Sequence, residues 1–287
     1  MTDGASARAL GSVIVPAWNE AAVIARTLDA LCTDLDPSIR VIVACNGCTD
    51  DTAEVVRRSG HAVDLLELGA VGKTGAIRAA EEVAPSGPRL YLDADITLPG
   101  PSANAVLGLL AADAIAARPP ARYEVAQASW PVRAYVAVRA ELPSIRDALH
   151  GAGVYGLSTT ARARFDEFPA VVADDLFADR LMHPGEVRIA ACEPVVVQVP
   201  RTTSALVTTL ARVYRGNLEL AALEGQRGTR STSRTVGELG HLARHPRWWP
   251  RIAAYVVLVT TGRIAARRSD GSWERDTSSR VTPAGWT

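Results

Sequence analysis

Asp93-Ala94-Asp95 stands directly after the apolar run Leu90-Tyr91-Leu92, at the end of what reads as a buried strand. Two carboxylates two residues apart can face one ligand where the backbone turns. Such oxygen ligands suit Mg2+ or Mn2+ shared with phosphates. Asp174-Asp175 is a second acidic pair, set between Val171-Val172 and Leu176-Phe177. Apolar flanks can tune a carboxylate as a general base, and the same acids would also suit a helix N-terminus. Lys73, the only lysine, lies in Gly72-Lys73-Thr74. A P-loop requires glycine five residues before Gly72, and Glu67 stands there, so a P-loop is excluded. A cation at that place remains suited to a diphosphate.

Two other spacings invite readings that their context opposes. Cys45-Asn46-Gly47-Cys48 has the thiol-redox spacing between a strand and a helix, but the glycine and aspartates around it favour polar ligand contacts. Gly151-Ala152-Gly153-Val154-Tyr155-Gly156 matches G-x-G-x-x-G, yet helix-like residues 145–150 precede it where a dinucleotide fingerprint needs a strand. These glycines read as close backbone approach to a bound molecule or to the sheet. Arg212 and Arg215 sit one turn apart and could clamp a phosphate or form a solvated helix face.

The elements that must position these residues alternate over the first hundred. Strands are expected at 12–16, 39–44, 63–68 and 90–92, with helices over 19–31, 49–58 and 72–83. Strands apolar on both faces imply a parallel sheet covered by helices, with ligands at the carboxyl ends of the strands. Those ends carry Pro16–Glu20, Cys45–Asp50, Leu68–Lys73 and Asp93–Asp95. Beyond Pro99 the pattern predicts helices over 102–117 and 132–149 and strands at 123–127, 187–191 and 195–199. A long helix is expected over 203–223 and a linker over 225–235.

The 287 residues are 48% hydrophobic and 22% charged, which fits one large domain or two small ones with a substantial core. Thirty-one basic and thirty-one acidic residues cancel, excluding a polyelectrolyte that seeks nucleic acid. The balance is uneven: residues 227–268 hold nine arginines and one acid, Glu238. That segment carries Trp248, Trp249 and an apolar run too short to span a bilayer. It reads either as a surface-lying anchor for anionic membrane or as a helix packed on the rest of the chain. Four cysteines without an apolar leader in residues 1–10 lead to the expectation of a reducing, cytoplasmic setting, peripheral on the inner face of the membrane if the tail docks there. The polar segment 273–280 is expected to dock back on the domain or to organise an oligomer.

Taken in order, five segments resemble an inverting nucleotide-sugar glycosyltransferase of family 2 with the GT-A fold, over roughly residues 10–220. They are Val13–Glu20, similar to V-P-x-x-N-E; Cys45–Thr52, similar to D-D-G-S-x-D-x-T; Gly72-Lys73 with Ala76, Ala79 and Ala80; Asp93-Ala94-Asp95; and Gly151–Asp175, which resembles a glycine loop leading into E-D. The resemblance implies an α/β fold with a mostly parallel, helix-flanked sheet. A Rossmann-like nucleotide half (10–100) and an acceptor half (101–224) would form the catalytic domain, followed by a linker and a basic, partly helical extension (225–287).

By the same resemblance Pro16, Ala17, Asn19, Glu20, Asn46, Asp50, Gly72, Lys73, Asp93, Ala94, Arg212 and Arg215 would bind the nucleotide-sugar. Asp95, with Asp93, would hold Mn2+ or Mg2+. Gly151, Ala152 and Gly153 would face the acceptor, and Asp175, or Asp174 by an alternative alignment, would be the base. Asn46 replaces an aspartate common in the family, and its amide oxygen could accept the same base N–H. Only Arg212-Val-Tyr-Arg215-Gly216 echoes Q-x-x-R-W, which favours transfer of a single sugar. The implied reaction moves a sugar from a UDP- or GDP-linked donor to a hydroxyl of a lipid-linked or cell-envelope glycan precursor. The alternatives are a non-catalytic nucleotide-sugar-binding module and a sugar-nucleotidyltransferase, the latter needing a glycine-rich basic turn where Pro16–Glu20 is acidic.

Overall fold

The computed structural model describes residues 10–171, 173–223 and 230–268. In chain order the elements are β1 (Gly11–Ala17), α1 (Ile24–Cys32), β2 (Ile39–Asn46), α2 (Thr52–Arg58), β3 (Val63–Leu68), α3 (Gly72–Val83) and β4 (Arg89–Leu92). There follow α4 (Gly100–Ala112), β5 (Ala116–Arg118), β6 (Ala121–Glu124), α5 (Trp130–Glu141), α6 (Pro143–Arg146), β7 (Val154–Leu157), α7 (Thr159–Arg162) and α8 (Asp174–Arg180). The last are β8 (Val187–Ile189), β9 (Val195–Gln198), α9 (Thr203–Leu223), α10 (Arg230–Leu242) and α11 (Trp249–Arg268).

The described residues form two compact units, one within 10–122 and 149–196, the other within 123–148 and 197–268. The first holds a seven-stranded sheet in the order β3-β2-β1-β4-β7-β5-β8. Val13, Ile14 and Val15 of β1 and Ile42, Val43 and Ala44 of β2 are fully buried, as central parallel strands covered on both faces require. β1 pairs in parallel with both β2 and β4, so strand order reverses between β1 and β4 and a crevice opens over their carboxyl ends. β7 runs antiparallel to β4 and β5, with Val154 opposite Leu92. That register brings the glycines before Val154 beside the residues after Leu92, and Asp93 N–H donates to the Gly153 carbonyl at 2.8 Å. Behind the strands all three phenylalanines, Phe165, Phe168 and Phe177, pack edge to face, and Tyr155 stacks on Tyr91 at 4.8 Å.

The second unit is helical. Val132, Tyr135 and Val138 of α5, Leu206 and Leu210 of α9, and Tyr255 and Leu258 of α11 share one core. α11 turns Tyr255, Leu258, Gly262 and Ala266 inward, and a Cβ on Gly262 would stand 2.6 Å from that of Leu210, so glycine permits the close helix approach. One face of α11 packs on α5 and α9, and among the described residues no helix is long and apolar enough to cross a membrane. Ser144 on α6 donates from its backbone N–H (3.0 Å) and its hydroxyl (2.5 Å) to Glu238 of α10. β6 and β9 pair with each other as a separate two-stranded sheet.

Several boundaries differ from expectation. The helix predicted over 102–117 ends at Ala112, and Ala116–Arg118 becomes a strand because it pairs with β7 and β8. The helix expected over 132–149 breaks at Leu142, before Pro143, and ends at Arg146. The strand expected over 123–127 is Ala121–Glu124. The linker expected over 225–235 is helical from Arg230, since Leu239 and Leu242 of α10 pack on the helical core; residues 224–229 lie outside the described residues, as does the 273–280 segment. Within the second unit α5 packs with α9 and α11.

Candidate active site

Four loops at the carboxyl edge of the first unit's sheet come together, and each has a local reason for its shape. Asn19 adopts the left-handed conformation (φ 52°), and its Oδ1 accepts from the backbone N–H of Thr49 (2.7 Å) and Asp50 (3.3 Å). Asp50 accepts from Ala21 N–H at 3.2 Å and from Thr52 N–H at 3.1 Å. Burial opposes ionisation of Asp50, but the Thr52 hydroxyl and these amides outweigh it and hold its pKa low. Asn19 and Asp50 therefore bolt the turn after β1 to the turn after β2. Cys48 sits in the same seam, its Sγ 3.4 Å from the Asn19 amide nitrogen and 3.5 Å from the Ala17 carbonyl. Pro16 and the buried Ala17 end β1, and the Glu20 carbonyl starts α1 by accepting from Val23 and Ile24.

Asn46 Oδ1 accepts from the N–H groups of Val71 (2.8 Å) and Gly72 (3.0 Å) at the start of α3. Two backbone donors fix the amide orientation, so the group presented outward is Nδ2, a donor. The amide oxygen that the resemblance assigned to the base is thus engaged within the protein. Gly72 has φ 78°, a conformation suited to glycine at this helix entry.

Lys73 joins the two acidic motifs. Its Nζ lies 2.8 Å from Asp93 Oδ1 and 2.6 Å from Asp174 Oδ1. Asp174 is 1% exposed, whereas Lys73 and Asp93 are 27% and 39% open. Tyr155 of β7 donates its hydroxyl to Asp174 Oδ2 at 2.8 Å. Burial would lower the Lys73 pKa, but Asp174, Asp93 and Asp175 outweigh it and hold the ammonium charged. Crowding raises Asp93 to about 6: burial contributes most, Asp174 and Asp95 add to it, and Lys73 opposes it. Ala94 is buried, and its carbonyl accepts from the Thr27 hydroxyl at 2.8 Å, which fixes the turn between the two aspartates.

Asp175 is half-buried beside its neighbour. Its Oδ2 accepts from Gly151 N–H at 2.9 Å and its Oδ1 from Leu176 N–H at 2.8 Å. One helical turn on, Asp179 accepts from Leu149 N–H at 2.6 Å and lies 3.2 Å from His150 Nδ1. Burial opposes ionisation of Asp179, but His150 and the backbone amides hold its pKa low. Helix α8 thus grips the 149–151 loop at two points. Gly153, at φ 68°, presses so closely that a Cβ would stand 2.5 Å from Ile96 Cγ1 and 3.2 Å from Asp93 Oδ2. Ala152 between the two glycines is buried.

Asp93 and the exposed Asp95 fit a hard divalent cation that takes one or two carboxylates and completes its shell from phosphate and water. Among the described residues no cluster of three or more metal-ligating side chains occurs. The cysteine pair does not support redox chemistry: burial, then Cys48, pushes the Cys45 thiol up to about 12, the reverse of an activated thiolate. Arg212 and Arg215 lie on α9 in the second unit, and Arg215 Nε is buried with no hydrogen-bond partner among the described residues. Tyr155, Thr27, His150 and Asp179 were not singled out from sequence. Only the four-residue spacing of Asp175 and Asp179 signals a shared helix face.

A mostly parallel, helix-flanked sheet with acidic motifs at its switch point is a GT-A-like fold. The profile of glycosyl transferase family 2 matches residues 12–155, half of the chain, and the chain belongs to that family of enzymes. The match ends before Asp174 and Asp175. No curated protein matches the chain. Among solved structures it is similar to a mannosyltransferase from Pyrobaculum calidifontis in complex with GDP-Man and Mn2+: TM-score 0.60, 20% identity, 89% of this chain and 85% of that one covered. It is also similar to glucosyl-3-phosphoglycerate synthase from Mycobacterium tuberculosis with Mn2+, UDP and glucosyl-3-phosphoglycerate: TM-score 0.50, 20% identity, 72% and 78% covered. The Mg2+ and UDP complex of the same enzyme gives TM-score 0.50 at 19% identity, again with 72% and 78% covered. At these identities the likeness is one of fold.

Proposed function

We propose that this chain is a metal-dependent, inverting glycosyltransferase moving one sugar from a UDP- or GDP-linked donor to an acceptor hydroxyl, with a lipid-linked or cell-envelope glycan precursor as the acceptor. The observation that carries this reading is the Lys73 bridge between Asp93 and Asp174, with Asp175 beside it on the glycine loop. Asp95 and Asp93 would hold Mn2+ or Mg2+, which when bound with the donor neutralises charge on the leaving diphosphate. Lys73, fixed from behind by Asp174, adds a positive charge on the same side.

Asp174, sealed from solvent and engaged by Lys73 and Tyr155, is a positioning residue. Asp175 retains exposed surface and is the base: it takes the proton of the acceptor hydroxyl as that oxygen attacks the anomeric carbon. The Gly151 N–H orients its carboxylate. Attack opposite the leaving group inverts the anomeric centre and needs no covalent intermediate. The α11 surface formed by Trp249, Val256, Val257 and Ile264, flanked by arginines, supports peripheral contact with an anionic membrane, where a lipid-linked acceptor would be met.

The test compares Asp175→Asn with wild type, using UDP- and GDP-sugars, Mn2+ and candidate acceptors. The reading expects donor affinity to be kept and turnover to fall about 10²- to 10⁴-fold. Transfer at a comparable rate in Asp175→Asn would remove the base assignment.

A further inference from the structure

The second unit is strongly basic. Over 123–148, 197–223 and 230–268 it carries fourteen arginines and five acids. Three of those acids are engaged elsewhere: Glu124 with the Ala126 N–H, Asp147 with Arg146, and Glu238 with Arg234 and Ser144. Within this unit Arg139 of α5 is half-buried. Its Nη1 donates to the Tyr135 hydroxyl at 3.1 Å, and its guanidinium stands 5.6 Å from that ring's centre. Tyr135 stacks on Tyr255 of α11 at 5.4 Å, and Arg263 of α11 lies 5.2 Å over the ring of Tyr214 of α9. Tyr135 and Tyr255 share one core cluster and Tyr214 packs against it, so the two arginines stand on one group of three phenols. Among the described residues neither arginine has a carboxylate partner.

A half-buried guanidinium such as that of Arg139 is normally neutralised by an acid, and the exposed Arg263 adds a second positive charge. Here their neighbours are phenols, and burial pushes Tyr255 up to about 12 and raises Tyr214, so both remain neutral hydroxyls. A phenol can donate to an anion but cannot replace one. Guanidinium forks match the oxygens of a phosphate group bidentately, and the aromatic faces hold them in place. We propose that Arg139 and Arg263, ringed by Tyr135, Tyr214 and Tyr255, form a binding site for a phosphate monoester or diphosphate group within the helical unit. The site lies in the unit that does not hold Asp93, Lys73 and Asp175, and it does not rest on the glycosyl-transfer reading.

The experiment titrates full-length protein with inorganic pyrophosphate in EDTA, which silences metal-dependent binding, and separately with phosphatidylcholine vesicles alone or carrying phosphatidic acid or phosphatidylserine. Saturable binding is expected in at least one arm, weakened about tenfold or more in Arg263→Gln. Arg263 is exposed on α11, so this variant keeps its fold, and Arg139→Gln provides the second arm. Pyrophosphate binding assigns a free phosphorylated ligand. Binding to phosphatidic acid vesicles that is stronger than to phosphatidylserine vesicles of equal charge and falls in Arg263→Gln assigns a lipid phosphate headgroup, whereas equal binding to both vesicles is the general anionic contact of α11 and overturns the headgroup assignment. No saturable binding in either arm, or binding unchanged in Arg263→Gln, overturns the proposal. Mn2+-dependent UDP or GDP binding, measured in parallel, is expected to be unaffected by Arg263→Gln.

Discussion

Lys73 Nζ lies 2.6 Å from Asp174 Oδ1, and the carboxylate it meets is 1% exposed. A buried carboxylate of this kind tolerates its charge only while its partners stay in place. Lys73→Met should therefore cost about 3–5 kcal/mol in unfolding free energy, read from urea titration. Adding Asp174→Asn to that variant should recover part of the loss, because the unpaired charge is removed. A purely additive double variant would mean that the pair is not coupled.

Gly153 and Gly72 both have positive φ, yet their surroundings differ. A Cβ at Gly153 meets Ile96 at 2.5 Å and Asp93 Oδ2 at 3.2 Å, whereas one at Gly72 meets nothing within 4 Å. Gly72→Ala should cost only backbone strain, about 1–2 kcal/mol. Gly153→Ala should cost more and should also weaken Mn2+-dependent nucleotide binding by displacing Asp93. Equal effects of the two substitutions on nucleotide affinity would contradict the close approach of the glycine loop to the D-x-D turn.

Acid stability depends on a pair that anchors the end of α8. Arg164 donates to both carboxylate oxygens of Glu186, at 2.6 and 2.7 Å, and to the Leu181 carbonyl at 2.9 Å. The Arg164 hydrogen bond, with the His183 N–H, holds Glu186 down at about 2 against an ordinary 4.5. Since the folded-state pKa is depressed, the stability it gives is present above pH 4.5 and is lost as pH falls through about 2. Allowing for solvent screening, wild type should lose about 1 kcal/mol more than Glu186→Gln across that window. Urea midpoints measured at several pH values give the comparison.

Trp249, Val256, Val257 and Ile264 are exposed on α11. Flotation with anionic liposomes should carry the full-length protein upward, and Trp249→Ser with Val257→Ser should reduce the floated fraction. Protein that stays at the bottom with anionic vesicles would remove the membrane reading.

The nucleotide half was legible because its parallel strands are buried on both faces and appear as uninterrupted apolar runs. β3 and α3 fall on their predicted residues, and α9 matches as well. β7 was hidden because Gly156 interrupts a four-residue run. That glycine serves packing, since a Cβ there would stand 2.6 Å from Leu110 Cδ1. Tyr155 and Asp174 are nineteen residues apart, and nothing local announces a hydrogen bond between strand and helix. The acidic pair itself was visible, but its division into a sealed Asp174 and an open Asp175 depends on Lys73 arriving from α3. The same holds for Asn46, whose oxygen is taken by the backbone of another loop.

The carboxyl edge of the sheet is expected to bind a nucleoside diphosphate together with a divalent cation. Thermal unfolding with UDP and with GDP, each with and without Mn2+, tests it directly. Saturation at about one hundred times Kd should add roughly 2.7 kcal/mol, a rise of several degrees in Tm. A metal-dependent rise is expected for one nucleotide and disappears in Asp95→Ala. A rise that survives Asp95→Ala, or none with either nucleotide, would contradict this binding.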